Sequence, residues 1–585
     1  ERALDDNSRY KVVWTVLNAL RAHDDRFNAT INKIELNKKK PDTILVGRPD
    51  VIFDVNGNPV SITDKELDKT IQTQLQLQFD ELQGAVFARM VNKVGDRLYW
   101  DHWAKSVAEI AEKQIGRLSN LVKNEAIKDT FNEFLTELQQ NINPEITREQ
   151  AIEMLSQHMI TKPIFEAIFE DYSFVEHNPV SKSMQRMIDL LEAQAIEKDT
   201  QVLDPFYRSV KTRVSHIDNA EGRQRIIVEL YDKFFKTAFP KMVDQLGIVY
   251  TPVEVVDFIV HSVDDVLRNE FNRSLTDENV HILDPFTGTG TFVTRLLQNG
   301  LIKSEDLRRK YLGEIHANEI VLLAYYIAAI NIENAYHDLL PDAHGYQSFD
   351  GICLTDTFQL GEYKQGEHLI SEFFPKNSER VVAQQKTPLT VIIGNPPYSV
   401  GQKSANDNAQ NLSYPKLEKR IIDTYAKNSS ANLKKSLYDL YIKAFRWSSD
   451  RLDEKHGGVI CFVSNGGWLD SNAHDGFRKQ LEKEFNSIYV FNLRGHQRTS
   501  GELSKKEGGK IFGSGSRARV AITLLVKNPK MTKNNGTIYY RDIGDYLSRE
   551  EKLQIVKRYM SIANPEMGWE IIKPNKEGDW INHRN

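Results

Sequence analysis

Residues 282–290 read ILDPFTGTG, and TFVTRLL follows at 291–297. A short apolar run ends in an acid, two glycines make a turn, and a helical pattern begins. That is strand, tight loop, helix. Glycines at 288 and 290 let backbone come close to a ligand. The turn falls at the carboxyl end of a strand, where open α/β sheets bind cofactors. It is neither GxGxxG nor a GxxxxGK[ST] phosphate loop, because no lysine follows. With Asp284 at the strand end, the loop suits a cationic, amino-acid-like ligand better than a pyrophosphate. A plain connection whose aspartate caps the helix explains this stretch about equally well.

Outward from the loop, the rhythm from about residue 246 alternates strands and helices. VHILDPF (280–286), TVIIG (390–394), GGVICFV (457–463), SIYVFNL (487–493) and RVAITLLV (519–526) read as strands, and LGEIHANE (312–319) as a short one. Helices are expected at 320–339 and 434–452. The alternation predicts an α/β, Rossmann-like domain with a mostly parallel sheet. A short polar link from RVAITLLV to GTIYYRDI (536–543) predicts an antiparallel hairpin at the sheet edge. Upstream, residues 61–245 carry amphipathic helical runs such as WAKSVAEIAEKQIGRLSNLV and RIIVELYDKFFKTAF. Asn143-Pro144, Asn178-Pro179 and Asp204-Pro205 punctuate them. No fixed-period repeat points to a solenoid. Residues 1–60 mix one helical run with turn-rich KKKPD and DVNGNP. The expected domains are 1–60, an all-α 61–245, and the α/β domain at 246–585.

The 585 residues, 40% hydrophobic and 27% charged, fit an ordinary globular protein. The strongest apolar run, ITLLV at 522–526, is strand-sized rather than membrane-sized. The charged start, ERALDDNSRYK, is unlike a signal peptide. Cys353 and Cys461 have no CxxC partner, which excludes a cysteine zinc site and suits a reducing cytoplasm. A net charge of −5 requires any nucleic-acid contact to come from a local basic surface. The histidines show no HExxH or other ligand spacing, so no metal is expected. His316 and His496 read as ordinary surface or loop residues. Trp100, Trp103, Tyr207 and Tyr231 read as core or interface.

Two further acids extend the first. Glu319, at the tip of the next strand, suits the two hydroxyls of a ribose. Asp356, in LTDTF, could accept from the amino group of an adenine. Each has a plainer reading, as a helix-start carboxylate and a solvated loop acid. Three acids at three successive strand ends describe an adenosine-bearing cofactor. VIIGNPPYS (391–399) then runs from a strand into Asn395, Pro396, Pro397 and an exposed-looking Tyr398. The prolines fix φ and leave their carbonyls free to accept. Asn395 Oδ1 and the Pro396 carbonyl suit the exocyclic amino group of a planar substrate, and Tyr398 can stack on its ring. In duplex DNA such a base must first be flipped out.

These residues resemble the N6-adenine DNA methyltransferases of the amino-type class. The resemblance implies S-adenosylmethionine as cofactor. DPFTGTG at 284–290 is similar to that family's cofactor loop, with Thr289 where serine is commoner. It implies cofactor roles for Asp284, Pro285, Phe286, Gly288 and Gly290. Tyr250, Thr251 and Pro252 match the segment closing over the methionine part, Glu319 the ribose acid, and Asp356 the adenine-side acid. Asn395, Pro396, Pro397 and Tyr398 match the catalytic motif, with Asn395 also near the cofactor. Loop before NPPY is the γ order. GIVYTPVEVVDFIV (247–260) and NALRAHDDRFNATINKIELN resemble the single-polypeptide Type ISP restriction–modification enzymes. That likeness implies the tail of a helicase-like ATPase at 1–60, a helical coupler at 61–245 and the methyltransferase at 246–585. Nuclease, motor and target-recognition domains would lie on the same polypeptide, in a bacterial cytoplasm. No Walker A loop or nuclease centre is seen, and a central fragment is expected.

Between 494 and 519, Arg494, Arg498, Lys510 and Arg517 stand among other cations in a Gly- and Ser-rich stretch. A flexible basic loop that touches DNA phosphates is expected there; a merely solvated loop fits equally well. NPPY also serves methyltransferases acting on protein glutamine or on RNA. A chain acting mainly as a mechanical coupler is the reading from a different class.

Overall fold

The computed structural model describes residues 51–53, 59–61, 97–168, 177–193, 251–340, 345–362, 372–398, 413–497, 499–512, 518–531 and 535–581. The chain forms two compact units, Glu1–Leu98 with Arg208–Gly222, and Tyr99–Tyr207 with Arg223–Asn585. Of the first, the strands β1 (Val51–Phe53) and β2 (Pro59–Ser61) are described, paired antiparallel. Tyr207, Tyr231 and the run 225–239 lie outside the described residues, as do the side chains of Trp100 and Trp103.

Among the described residues the helical part comprises α1 (Arg97–Leu121), whose first two residues belong to the first unit, α2 (Glu125–Asn141), α3 (Arg148–Ile168) and α4 (Pro179–Ala193). Their apolar stripes bury Phe131, Phe134, Leu138, Leu155, Met184 and Leu191. The Asn-Pro signal at 178–179 does what its chemistry predicts. Asn178 Oδ1 accepts from Ser181 N at 3.0 Å, and Pro179 starts α4, where an N–H would be orphaned anyway.

Among the described residues the α/β part forms one nine-stranded sheet. In chain order its strands are β3 (His281–Asp284), β4 (Ile315–Glu319), β5 (Ile352–Leu354), β6 (Leu389–Gly394), β7 (Gly458–Asn465), β8 (Ser487–Arg494), β9 (Val520–Lys527), β10 (Thr537–Asp542) and β11 (Glu570–Ile572). Their spatial order is β11-β10-β8-β9-β7-β6-β3-β4-β5. Strands β3 to β7 run parallel. The chain lays β4 and β5 on one side of β3, then crosses to place β6 on the other. The switch point between β3 and β6 is where such sheets open a ligand crevice.

The edge hairpin is a correction. β9 does not pair with β10. It inserts between β7 and β8, antiparallel to both, while β10 lies parallel on the far side of β8. Residues 520–526 are all buried, which needs a neighbour on each side, whereas β10 is only half-buried along most of its length. The antiparallel edge pair is β10 with β11.

Helix α5 (Val253–Phe271) precedes β3, α6 (Thr291–Gln298) follows the Gly loop, and α7 (Leu322–Leu339) follows β4. Arg295 of α6 pairs with both carboxylate oxygens of Asp257 on α5, at 2.8 and 2.9 Å. Helix α7 is apolar almost all round, as LLAYYIAAINIE suggests, and is correspondingly buried. The helical part covers it: His158 Nδ1 lies 2.9 Å from Tyr326 Oη, and Asn178 Nδ2 donates to Tyr325 Oη at 3.3 Å. The 434–452 run divides into a 3₁₀ turn (Lys435–Tyr438) and α8 (Leu440–Arg451). His316 is a second correction. It sits in β4, its ring stacked on His281 with Nε2 3.1 Å from Nδ1, and burial lowers its pKa to about 3. Among the described residues no helix is long and apolar enough to cross a membrane.

Candidate active site

The parallel run of β3, β4, β5 and β6 brings Asp284, Glu319, Asp356 and Asn395 to one edge of the sheet. The Gly loop is built by its neighbours. Thr287 N donates to Asn318 O at 3.0 Å, Thr287 Oγ1 to Asp284 O at 3.0 Å, and Asn331 Nδ2 on α7 to Thr289 O at 2.9 Å. Thr357 Oγ1 donates to Pro285 O at 2.6 Å. Asn318, Asn331 and Thr357 carry no motif signal and were not foreseen from the sequence. Gly290 has φ +85° and starts α6. A Cβ there would lie 3.1 Å from Ala328 Cα on α7. Gly290→Ala is therefore expected to cost about 1–2 kcal/mol, from the left-handed conformation with the α7 crowding added, and to lower the thermal midpoint. A melt matching the parent's would sink this reading. Gly288, with φ +56°, faces open space.

Asp284 is buried. Its Oδ1 accepts from Phe286 N at 3.1 Å, and its Oδ2 has no partner among the described residues. Burial pushes its carboxyl up to about 8; the Phe286 amide opposes the rise and the nearby Glu319 charge adds to it. A buried acceptor left unpaired is costly, so this oxygen is an observation in favour of a cationic ligand group. Glu319 is buried too. Its Oε2 takes Gly288 N and its Oε1 takes Val321 N, each at 2.8 Å. Burial raises it to about 7 against the pull of those amides. The Val321 amide bears out the helix-start reading of Glu319, and a carboxylate has lone pairs beyond the two these amides use.

The NPPY segment abuts the loop. A Cβ on Gly394 would lie 2.8 Å from Asp284 Oδ1. Asn395 Nδ2 donates to Thr251 Oγ1 at 3.0 Å, while Asn395 Oδ1 is buried with no partner among the described residues. Thr251 is held just ahead of α5, where the Pro252 carbonyl accepts from Val255 and Val256. Tyr250 lies outside the described residues. Pro396 is buried and Pro397 half-buried. Tyr398 is not exposed, as the sequence suggested, but buried edge-to-face on Phe512, with centroids 5.3 Å apart. Phe286, half-buried, meets Phe358 at 5.4 Å and Phe462 at 6.2 Å.

Asp356 is buried rather than solvated, and is already occupied. Oδ1 accepts from Phe358 N at 2.9 Å; Oδ2 accepts from Tyr414 Oη at 2.8 Å and from Asn143 Nδ2 at 2.6 Å. The basic stretch also differs from expectation. Part of it is a helix, α9 (Gly501–Glu507). Glu507 anchors it, accepting from His496 N at 3.0 Å and Arg519 Nη2 at 2.9 Å, while Lys552 Nζ donates to its carbonyl at 2.7 Å. Arg494 is paired with Asp542 at 2.7 Å and with Asp545, so its charge is used inside the fold. Lys510 is half-buried; Arg498 and Arg517 lie outside the described residues. Among the described residues no group of three or more His, Cys, Asp or Glu could hold a metal.

Two family models match: the Type ISP restriction–modification enzyme coupler domain over residues 99–222, and the Eco57I restriction–modification methylase over 316–497. Comparison with curated proteins gives no match. Among solved structures, a nuclease-deletion mutant of the Type ISP enzyme LlaGI with a DNA substrate mimic is 48% identical. It matches with TM-score 0.79 over 100% of this chain and 44% of its own. The ATP-dependent Type ISP enzyme LlaBIII bound to DNA is 45% identical, with TM-score 0.80 over 100% of this chain and 38% of its own. A DrdV–DNA complex is 30% identical, with TM-score 0.75 over 91% and 50%. The chain thus spans less than half the length of the LlaGI and LlaBIII structures. With a coupler and a methylase region joined in one chain, it belongs with the Type ISP restriction–modification enzymes.

Proposed function

We propose that this chain transfers a methyl group from S-adenosylmethionine to N6 of an adenine flipped out of duplex DNA. The observation that carries the reading is the pair of unpartnered buried oxygens, Asp284 Oδ2 and Asn395 Oδ1, at adjacent strand ends. Asp284 would hold the cofactor's ammonium, Glu319 its ribose hydroxyls, and the loop from Pro285 to Gly290 its flank. When bound, S-adenosylmethionine supplies a sulfonium methyl as electrophile. Asn395 Oδ1 and the Pro396 carbonyl accept from the adenine amino group and hold its nitrogen lone pair toward the methyl. Transfer of that methyl would form the N–C bond as the S–C bond breaks, with the amino proton lost to solvent. Tyr398 would stack on the base only by turning out a ring that now packs edge-to-face on Phe512. Arg494, Arg498, Lys510 and Arg517 are the proposed DNA contacts. Arg494 would contribute only by leaving its carboxylates.

The proposed division is an ATPase tail at 1–60, coupler at 61–245 and methyltransferase at 246–585, on a bacterial cytoplasmic polypeptide that also carries motor, nuclease and target-recognition domains. The matched coupler and methylase regions support that order. Full-length protein given labelled S-adenosylmethionine and DNA should yield N6-methyladenine by mass spectrometry. Label found in cytosine, RNA or glutamine instead would overturn it.

Thr251→Val keeps the shape and removes the acceptor that fixes Asn395. With one hydrogen bond of about 1 kcal/mol lost, a rate drop of roughly fivefold is expected, with cofactor affinity little changed. An unchanged single-turnover rate would refute the positioning role.

A further inference from the structure

Asn143 belongs to the helical part, in the turn between α2 and α3, yet its side chain ends on a strand-end acid of the methylase part. Asn143 is buried, and its Nδ2 lies 2.6 Å from Asp356 Oδ2. The contact is one of a set. Asp356 N donates to Ile142 O at 3.3 Å, and Thr355 Oγ1 to Asn141 O at 3.3 Å. Asp356 itself sits within the candidate cofactor crevice. Its neighbours on either side reach the other two cofactor elements: Thr355 N donates to Glu319 O at 2.9 Å, and Thr357 Oγ1 to Pro285 O at 2.6 Å.

The acceptor capacity of the carboxylate limits how many donors Asp356 can hold at once. A carboxylate offers about four lone-pair directions. Oδ1 faces its own turn and takes Phe358 N, with Gln359 N at 3.5 Å. Oδ2 is the oxygen that faces other elements, and Asn143 and Tyr414 fill it. An incoming amino donor can be received at Oδ2 only if one of them withdraws. Tyr414 is fixed by its ring, edge-on to Phe358 at 5.2 Å and under Lys443 Nζ at 5.1 Å. Asn143 has an alternative: its Oδ1 already accepts from Glu145 N at 2.9 Å, a local turn that holds whether or not Nδ2 stays on Asp356.

We propose that Asn143 is an occupancy-sensing residue at the adenine end of the cofactor site, displaced from Asp356 when the cofactor's amino group binds there. The inference rests on the S-adenosylmethionine reading. It makes the α2–α3 turn of the coupler region the element that changes state when the cofactor binds. Binding and release of Asn143 are then linked reciprocally.

The test uses Asn143→Ser, which can still accept from Glu145 N but cannot reach Asp356. Calorimetry with S-adenosylhomocysteine should show binding at least about fivefold tighter than in the parent. Its 6-oxo analogue, S-inosylhomocysteine, should gain nothing. Equal or weaker S-adenosylhomocysteine binding in the variant, or an equal gain for both ligands, would overturn the proposal. A parent chain that binds neither ligand would instead defeat the cofactor reading, and this inference with it.

Discussion

Asn395→Ala is expected to lower the single-turnover methylation rate by about 10²–10³-fold while leaving S-adenosylmethionine affinity within about threefold, the size of loss found when one preorganised polar partner of a transition state is removed. The geometry separates the two quantities. Asn395 spends its donor on Thr251 and keeps its acceptor free in a buried position. An acceptor that is already desolvated and fixed needs no reorganisation when the amino group arrives. Alanine removes it without touching Asp284 or Glu319, which are expected to bear the cofactor. Rapid-quench measurement on the full-length polypeptide, beside equilibrium binding of cofactor, gives both numbers. A rate within tenfold of the parent would remove Asn395 from the reacting centre. A loss of affinity as large as the loss of rate would make it a cofactor ligand instead.

The parts of this site that the sequence announced are those whose chemistry is local. DPFTGTG needs its glycines for reasons visible within the loop, and NPPY needs its prolines for the same kind of reason. Strand ends followed by an acid sort themselves into one crevice once the sheet is parallel, so Asp284, Glu319 and Asn395 were legible together. What stayed hidden depends on partners distant in the chain. Asn143 and Asp356 are 213 positions apart, and nothing in NINPE or LTDTF signals their hydrogen bond. Asn331 and Thr357 support the Gly loop through single side chains of common type. Tyr398 looked exposed because a tyrosine after two prolines gives no hint of Phe512, which arrives from beyond β8. The β9 insertion misled for a physical reason too. A short link suggests a hairpin, but an uninterrupted apolar strand must be flanked on both sides, and that requirement prevailed. Arg494 read as a free cation until the fold supplied Asp542 and Asp545.

Cofactor binding is expected to tighten as pH rises from 6 to 8 and to release a proton, and Asp284→Asn is expected to abolish both effects. The sign comes from the carboxyl's surroundings. Burial raises the Asp284 pKa to about 8, so near neutrality the ligand-free protein holds it protonated. A cationic ammonium favours the ionised form, so binding must expel that proton below pH 8. Affinity then climbs by up to about tenfold per pH unit until the carboxyl is ionised unaided, and falls again above about pH 8 as the cofactor's ammonium loses its own proton. Folding without cofactor runs the opposite way. The folded carboxyl keeps its proton up to about pH 8, whereas an unfolded chain gives it up near the ordinary value of 3.8. Stability from this group is full below that value and is lost as pH rises through 8; Glu319, raised to about 7, adds in the same direction. Cofactor should therefore raise the melting temperature more at pH 8 than at pH 6. Titration calorimetry in two buffers of different ionisation enthalpy counts the released proton directly. Binding with no proton release at pH 6.5, and an affinity flat across the window, would mean that Asp284 is not the residue that meets the cofactor's charge. Asparagine keeps the shape and the acceptor for the Phe286 amide but cannot ionise. It should bind at least about 10²-fold more weakly at pH 8, in the range set by losing a charge-assisted partner in a buried site.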